Sequence, residues 1–523
     1  MTLQIPDDLM HPSVFPHPAD KVELIETHIS WVLLAGDHAY KIKKPVNFGF
    51  LDFSTREKRR AACLEELRIN RRTAPMLYES LVCISGNPVE IHEDSRDPPA
   101  EYAIRMRRFP QSALLSSVLN NHPDALSLMD DLACHVAGFH ATADIAAIGS
   151  AYGTPDSVLS PVQQNITQLR QQINDPVLLG IIDSVEQWIQ IAFSRLKSVF
   201  AERQTSGHVR ECHGDMHLGN IVVLDGKPLL FDALEFNASL RWIDRMSDVA
   251  FLVMDLQMNA RPDLGWHFLN KWLESTGDYQ GLRLLPWYLC YRAMVRAKVA
   301  ALRLAQLEGD ARLSALVQCR AYLELAERYT RPQPRALIIN QGLSGSGKTT
   351  HSQYLVDHCG LIRIRADVER KRLFGLHATE SSQRIAGGIY TEEANLRTQT
   401  HLEQLAQTVL EAGYPVLVDA TFIRREPRER MRALATALQT PWLVLVFEVV
   451  PATLRERAAR RAASGHDASE ATADVVASQM EHYEPLAENE KSDTLIINTD
   501  TPPDWSGLLP VFCAQTRLRS VFG

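Results

Sequence analysis

The sequence predicts two domains, an α+β domain followed by an α/β domain built on a parallel sheet. Three observations predict this. At 523 residues the chain is too long for one ordinary core. The segment Arg331-Pro-Gln-Pro-Arg335 puts two prolines in five residues, which favours an extended linker, and it follows a long helical pattern from Leu302 to Tyr329. Directly after it, the apolar run Ala336-Leu-Ile-Ile339 reads as a buried strand feeding Gly342-Leu-Ser-Gly-Ser-Gly-Lys-Thr349, which fits G-x-x-x-x-G-K-[ST]. The domains are therefore drawn as 1–330 and 336–523, with 331–335 as the linker.

Composition narrows the class. Hydrophobic residues make up 45% of the chain and charged residues 23%, the proportions of a soluble globular protein. A net charge of −8 and a pI of about 6.1 disfavour nucleic acid as a general partner, while leaving room for a local basic groove and not excluding nucleic acid for the second domain. The N-terminus lacks a basic stretch leading into an apolar run, so no signal peptide is expected. No apolar stretch is read as reaching the roughly 18 residues of a membrane span. The eight cysteines form no C-x-x-C, which argues against a zinc ribbon and for reduced thiols in a cytoplasmic protein.

In the first domain, Trp31 to Ala35, the turn Gly36-Asp37 and His38 to Lys43 read as a β-hairpin. Lys41 and Lys43 fall on one face of its second strand. A helix from about Thr55 to Thr73 follows and carries Glu65 and Glu66. A strand-borne lysine paired with a helical glutamate holds the α- and β-phosphates of ATP in kinase-like folds, and the spacing leaves open which lysine and which glutamate pair. Farther on stands His213-Gly-Asp-Met-His-Leu-Gly-Asn220, followed by the strand-like runs Ile221 to Leu224 and Pro228 to Phe231, and then Asp232. Asp215 is placed to accept or orient the proton of an acceptor hydroxyl. Asn220 and Asp232, brought side by side by the hairpin between them, suit Mg²⁺. His217 is expected to be a hydrogen-bonded loop histidine. Arg241 to Leu252 reads as an amphipathic helix with Asp248 as an anchor for the loop.

This constellation resembles the catalytic loop and metal-binding aspartate of aminoglycoside phosphotransferase-like kinases. The resemblance covers most of residues 25–300 and is strongest over 211–255. It implies a two-lobed, protein-kinase-like fold, with Asp215 as catalytic base, Asn220 and Asp232 as Mg²⁺ ligands, Lys41 as the phosphate-binding lysine and Glu66 as its partner. Lys43 and Glu65 compete for the last two roles. Tyr102 to Met106 would be the strand leading to the hinge. The chain departs from the family in lacking a clear glycine-rich loop over the phosphates. Its metal-binding aspartate opens Asp232-Ala-Leu-Glu235, which gives Glu235 no assured metal role.

In the second domain the strand, glycine loop and helix supply what phosphate binding needs. Glycines let successive N–H groups point inward, and the N-terminus of a helix from Lys348 to His358 adds positive dipole. Gly342, Ser344, Gly345, Ser346, Gly347, Lys348, Thr349 and Thr350 form the nucleotide-binding stretch. Lys348 would reach the β- and γ-phosphates, and the Thr349 hydroxyl would hold Mg²⁺. Leu361 to Arg365 reads as a second strand ending at Asp367, a candidate base for an acceptor hydroxyl, with Arg370 and Arg372 nearby to steer an anion. After a long helix from Thr391 to Ala412, Val416-Leu-Val-Asp419 is an apolar strand ending in a carboxylate, the pattern that supports Mg²⁺. Trp442 to Phe447 and Thr494 to Asn498 read as further strands. Between them lies a basic helical segment, Leu454 to Arg461, whose Arg457 and Arg461 share a face and suit charge stabilisation during transfer.

This half resembles the small P-loop, AAA-type kinases of the group that includes gluconate kinase, polynucleotide kinase and zeta-type toxins. The whole chain resembles a bacterial architecture that joins such a domain to an aminoglycoside phosphotransferase-like one. The resemblance implies a bifunctional, ATP- and Mg²⁺-dependent kinase acting on hydroxyls of small molecules. The alternative is a small-molecule kinase in the first half, with a regulatory ATP-binding, polynucleotide-kinase-like or toxin-like module in the second.

Overall fold

A computed structural model describes residues 4–47, 51–86, 88–93, 99–119, 124–304, 307–382, 385, 388–454, 456–457 and 473–522. The chain forms two compact units, Met1–Gln171 with Phe193–Asp255, and Gln172–Ala192 with Leu256–Gly523.

The first unit is built on an antiparallel sheet of β1 (Val22–Glu26), β2 (Ser30–Ala35), β3 (His38–Lys43), β4 (Tyr78–Ile84), β5 (Ile91–His92) and β6 (Glu101–Arg107), in the order β1-β2-β3-β6-β4-β5. The expected hairpin is β2–β3, in the register Ser30↔Lys43 to Ala35↔His38. Helix α1 (Arg56–Asn70) starts where Thr55 caps it by accepting from the Lys58 N–H. Its Cys63, Glu66, Leu67 and Asn70 recur at helical spacing and are buried. Cys63 and Leu67 pack with Ala39, Leu77, Ile104 and Met106 of the sheet side.

Beyond the sheet come α2 (Leu115–Val118), α3 (Ala125–Thr142), α4 (Pro155–Gln172) and α5 (Pro176–Thr205). Contrary to the sequence reading, α5 is by length and composition apolar enough to cross a membrane, with a mean hydropathy of 1.2 over 18 residues. Its Leu178, Ile182, Val185 and Ile189 form one buried stripe at helical spacing, with the half-buried Glu186 and Gln190 beside it.

Strand β7 (Val209–Glu211) leads into the loop 212–220, and β8 (Ile221–Leu224) and β9 (Lys227–Leu230) form the expected hairpin, Ile221↔Leu230. The segment read as a helix from Arg241 begins instead with β10 (Trp242–Asp244), which pairs antiparallel with β7, and α6 (Arg245–Met258) follows. The buried ion pair between Arg203 and Asp244 holds that strand in place.

The loop after β7 hangs on one carboxylate. Asp248 on α6 is fully buried and accepts from the backbone N–H groups of His213 (2.8 Å) and Gly214 (2.9 Å). His140 Nε2 lies 3.3 Å away. Gly214 has φ +85°, and a side chain there would meet the Leu240 carbonyl at 2.7 Å. The His213 ring donates from Nε2 to the Phe231 carbonyl (2.9 Å) and accepts the Asp215 N–H at Nδ1 (3.3 Å), a pattern only the neutral ring can make. Burial lowers His213 below its ordinary 6.5, outweighing the upward pull of Asp248 and Asp215.

The second unit contains α7 (Pro262–Thr276), α8 (Leu285–Arg303) and α9 (Gly309–Tyr329), and then a five-stranded sheet. Its strands are β11 (Leu337–Gln341), β12 (Ile362–Arg365), β13 (Val416–Asp419), β14 (Trp442–Glu448) and β15 (Thr494–Asn498), all parallel, in the order β12-β13-β11-β14-β15. Strand β11 is central and buried at every position, as a parallel strand covered on both faces must be. Helices α10 (Lys348–Cys359), α11 (Ala366–Leu373), α12 (Glu392–Glu411) and α13 (Arg425–Ala437) connect the strands. One core gathers Ile338, Leu355, Val356, Leu443, Leu445 and Phe512.

Asp248→Ala would strand two buried N–H groups, and we expect it to lower the stability of the chain by about 3 kcal/mol in chemical denaturation. A second expectation concerns pH. Because the folded pKa of His213 lies below 6.5, the unfolded chain binds the extra proton in the window between the two values. Stability contributed by the neutral ring is thus complete above about pH 7 and declines as pH falls through that window. His213→Gln should flatten the fall in Tm between about pH 7 and about pH 5.

Candidate active sites

The first site gathers on β3, α1 and the β8–β9 hairpin. Lys41 Nζ donates to Glu66 Oε1 at 2.8 Å and also to Asp232 Oδ1. Lys43 Nζ donates to Glu66 Oε2 and to Glu235 Oε1. Glu66 is therefore shared by both lysines, one on each oxygen, and its side chain is fully buried. Glu65 faces elsewhere, toward Arg68 at 2.8 Å and Arg241. Of the two lysines only Lys41 reaches Asp232, while Lys43 ties Glu235 into the interior. Burial works against the charge on Lys41, but Asp232 and Glu66 outweigh it and hold its pKa well above the ordinary value. Burial likewise pushes Asp232 upward, and Lys41 more than reverses this, so the carboxylate stays ionised. Burial raises Glu235 despite Lys43.

The backbone at Asp232 is left-handed, φ +62°, an unusual state for a residue other than glycine. Three bonds enforce it. The Phe231 N–H donates to the Asn220 carbonyl (3.0 Å), the Asp232 N–H to the Tyr78 hydroxyl oxygen (3.0 Å) and the Ala233 N–H to Asn70 Oδ1 (2.8 Å). Asn70 and Tyr78 were not singled out in the sequence. Asn70 stands four residues after Glu66 on the buried stripe of α1, and a buried amide at that spacing was a readable signal. Asn220 donates from Nδ2 to Asp215 Oδ2 at 3.0 Å, which leaves its amide oxygen for a cation. His217 stacks edge-on against Phe251, as a loop histidine would.

Another cluster, His140, Cys212 and Asp248, has metal-like convergence and full burial. Both Asp248 oxygens already accept backbone N–H groups, and burial pushes the Cys212 thiol well up, which disfavours a thiolate ligand. The cluster is an anchor. Two arginines at the end of β6 are occupied by carboxylates: Arg105 pairs with Glu79 and Glu93 at 2.7 Å, and Arg108 lies 3.3 Å from Glu23.

The second site lies at the carboxyl end of β11. Gly345 and Gly347 take φ +90° and +83°, curling the loop into α10. Gly347 is the left-handed N-cap of that helix. Lys348 Nζ donates to the Leu343 carbonyl at 3.1 Å. The Thr349 hydroxyl donates to Asp419 Oδ2 at 2.7 Å, and Asn340 Nδ2 donates to Asp419 Oδ1 at 2.9 Å. Gly342, Ser344 and Ser346 belong to the same loop. The Ser344 N–H donates to Gln479 Oε1 (2.8 Å), and the Ser346 carbonyl accepts from Thr499 (2.8 Å). Thr350 follows on α10 and is exposed.

Arg457 donates to the Thr499 carbonyl at 2.6 Å, and Arg457 also adds to the lowering of His351 that burial begins. A side chain at Gly347 would stand 3.4 Å from Arg457 Nη1, so the guanidinium lies against the loop. Arg461 lies outside the described residues. Asp367 sits in the first turn of α11, beyond the end of β12. Burial lowers Arg370, and Asp367 is the first charge that opposes this. Arg370 is held by the Ile389 carbonyl (3.0 Å), Asn395 (2.7 Å) and the face of Tyr390, whereas Arg372 turns to Glu369 and the Glu274 carbonyl. Beside the loop, a cleft of about 420 Å³ opens at the carboxyl ends of β11, β14 and β15, lined by residues that include Leu343, Val446, Val450, Tyr483 and Asp500.

Both oxygen sets, Asn220 with Asp232 and Thr349 with Asp419, have the hard, partly anionic character that suits Mg²⁺.

An AAA domain model matches residues 337–486. A solved gluconokinase from Sinorhizobium meliloti 1021 is similar over 36% of this chain and 94% of its own, at 18% identity and a TM-score of 0.25. A solved, ADP-bound aminoglycoside phosphotransferase is similar over 60% of this chain and 95% of its own, at 12% identity and a TM-score of 0.35. An antiparallel sheet with helices in the first unit and a parallel five-stranded sheet behind the phosphate-loop motif in the second agree with the α+β and α/β classes expected from the sequence. The uncharacterized protein Rv2004c of Mycobacterium tuberculosis (strain ATCC 25618 / H37Rv) is 30% identical over 457 residues, which span 87% of this chain and 89% of that protein. With that identity over nearly the full length of both, the chain belongs to the same family as Rv2004c.

Proposed function

We propose that this chain is a cytoplasmic ATP-dependent phosphotransferase with two sites, each passing the γ-phosphoryl group to a hydroxyl of a small molecule. The first site falls within residues 1–330 and the second within 336–523, with 331–335 between them. The observation that carries the reading is the double reach of Lys41 to Glu66 and Asp232, beside an Asp215 held by Asn220.

At the first site Lys41, oriented by Glu66, binds the α- and β-phosphates. Asp215 orients the acceptor hydroxyl and takes its proton as the oxygen bonds to the γ-phosphorus and the bond to the β-phosphate oxygen breaks. At the second site the loop amides and Lys348 bind the phosphates, Asp367 takes the acceptor proton and Arg457 stabilises charge on the moving group. The cleft beside Leu343 and Asp500 suits the nucleoside. Asn220 and Asp232, and separately Thr349 and Asp419, are the residues that would hold Mg²⁺. When bound, Mg²⁺ supplies neutralising charge on the β- and γ-oxygens. The Asp419 oxygens are held by Thr349 and Asn340 before substrate arrives, while Lys348 and Arg457 exchange the Leu343 and Thr499 carbonyls for phosphate oxygens as it binds.

The test is transfer of labelled γ-phosphate from ATP into a small-molecule extract. Two labelled products are expected. Asp215→Asn should lower formation of one by about 10³-fold and leave the other. Lys348→Ala should do the reverse. Loss of every product in Asp215→Asn alone would make the second site a nucleotide-binding regulator.

A further inference from the structure

Helix α7 lies along the free edge of the parallel sheet. Asn270 Nδ2 donates to the Leu361 carbonyl (2.9 Å), and the Arg363 N–H donates to Asn270 Oδ1 (2.7 Å). One side-chain amide thus takes the place of a neighbouring strand on β12. His267 Nδ1 lies 3.2 Å from Asp357 Oδ1 near the end of α10. One turn after Asn270, Glu274 faces two arginines of β12. Its Oε1 is 3.0 Å from Arg365 Nη1 and its Oε2 is 3.9 Å from Arg363 Nη2. The three side chains are only 12%, 17% and 11% exposed, which protects these contacts from screening.

Arg363 and Arg365 are two residues apart and share a face of the sheet. In the register of β12 with β13, Arg365 stands directly beside Asp419. Adjacent strands lie about 4.8 Å apart, so an arginine at 365 has the Asp419 carboxylate within reach. Asp419 is bonded instead to Thr349 and Asn340, and Arg365 is turned to Glu274. Arg363 Nη1 donates to the Thr349 carbonyl at 3.3 Å, so the same helix also braces the first turn of α10.

We propose that Glu274 is a positioning residue of the phosphate-loop site, holding Arg365 off Asp419 so that this carboxylate stays with Thr349 for Mg²⁺. The proposal rests on the reading of Thr349 and Asp419 as the Mg²⁺-holding pair. Without Glu274, the Arg365 guanidinium swings to Asp419, its partner in the strand register, occupies its oxygens and sets a like charge beside the cation. Mg²⁺ must then displace an arginine before it can bind.

The experiment uses the full-length chain carrying Asp232→Ala, which removes the first Mg²⁺ pair. Binding of fluorescent ADP is titrated against Mg²⁺. Glu274→Gln should raise the Mg²⁺ concentration for half-maximal binding by about tenfold. Adding Arg365→Ala to Glu274→Gln should restore it, which a merely structural role for Glu274 would not allow. Tm of each variant without Mg²⁺ separates a folding defect from a metal effect. An unchanged Mg²⁺ requirement in Glu274→Gln, or a rise that Arg365→Ala does not reverse, would overturn the proposal. Retained ADP binding in Lys348→Ala on the same background would instead overturn the underlying reading of the loop.

Discussion

Two ammonium groups buried against one carboxylate set the terms for the first site. Lys41 and Lys43 share Glu66, and removing two such cations from water is costly unless each finds further partners. Asp232 and Glu235 are those partners. Both come from the segment after β9, so the charge requirement of β3 and α1 draws that segment onto the sheet. The left-handed turn at Asp232 follows from this, with Tyr78 and Asn70 bonding the backbone on either side of it. The ion pair of Asp232 with Lys41 thereby helps offset the strain of an unusual backbone at Asp232.

The second site solves a similar problem by other means. The groups proposed to bind anions there are backbone amides, a helix end and Lys348, all local in sequence and placed by the glycines at 345 and 347. Its carboxylate, Asp419, is kept in place by a hydroxyl and an amide rather than by a cation. Both neighbours are neutral, which fits the proposed role of Asp419 toward Mg²⁺. The sheet edge nearest to it is closed by a helix that precedes the proline segment, through Asn270 and Glu274.

Much of this was legible in the sequence, and the limits have physical causes. The phosphate loop, the β2–β3 hairpin, the β8–β9 hairpin and the strands of the parallel sheet are local patterns, and each was read from neighbouring residues. The choice between Glu65 and Glu66 was not, because adjacent helical residues point about 100° apart and only packing against β3 decides which faces inward. The short strand Trp242–Asp244 was read as helix because its partner, β7, lies some thirty residues away in the chain. The apolar length of α5 was missed because its apolar residues are spread along a stripe and do not form a continuous run. The contact of Glu274 with Arg365 spans 91 residues, and no local signal encodes it.

Two nucleotide sites of different construction in one chain would show as stoichiometry. Calorimetric titration of the full-length chain with a non-hydrolysable ATP analogue and Mg²⁺ reads that number. Two nucleotides bound per chain are expected, falling to one in Asp232→Ala and to one in Lys348→Ala. A single nucleotide per wild-type chain, abolished by either substitution alone, would contradict this.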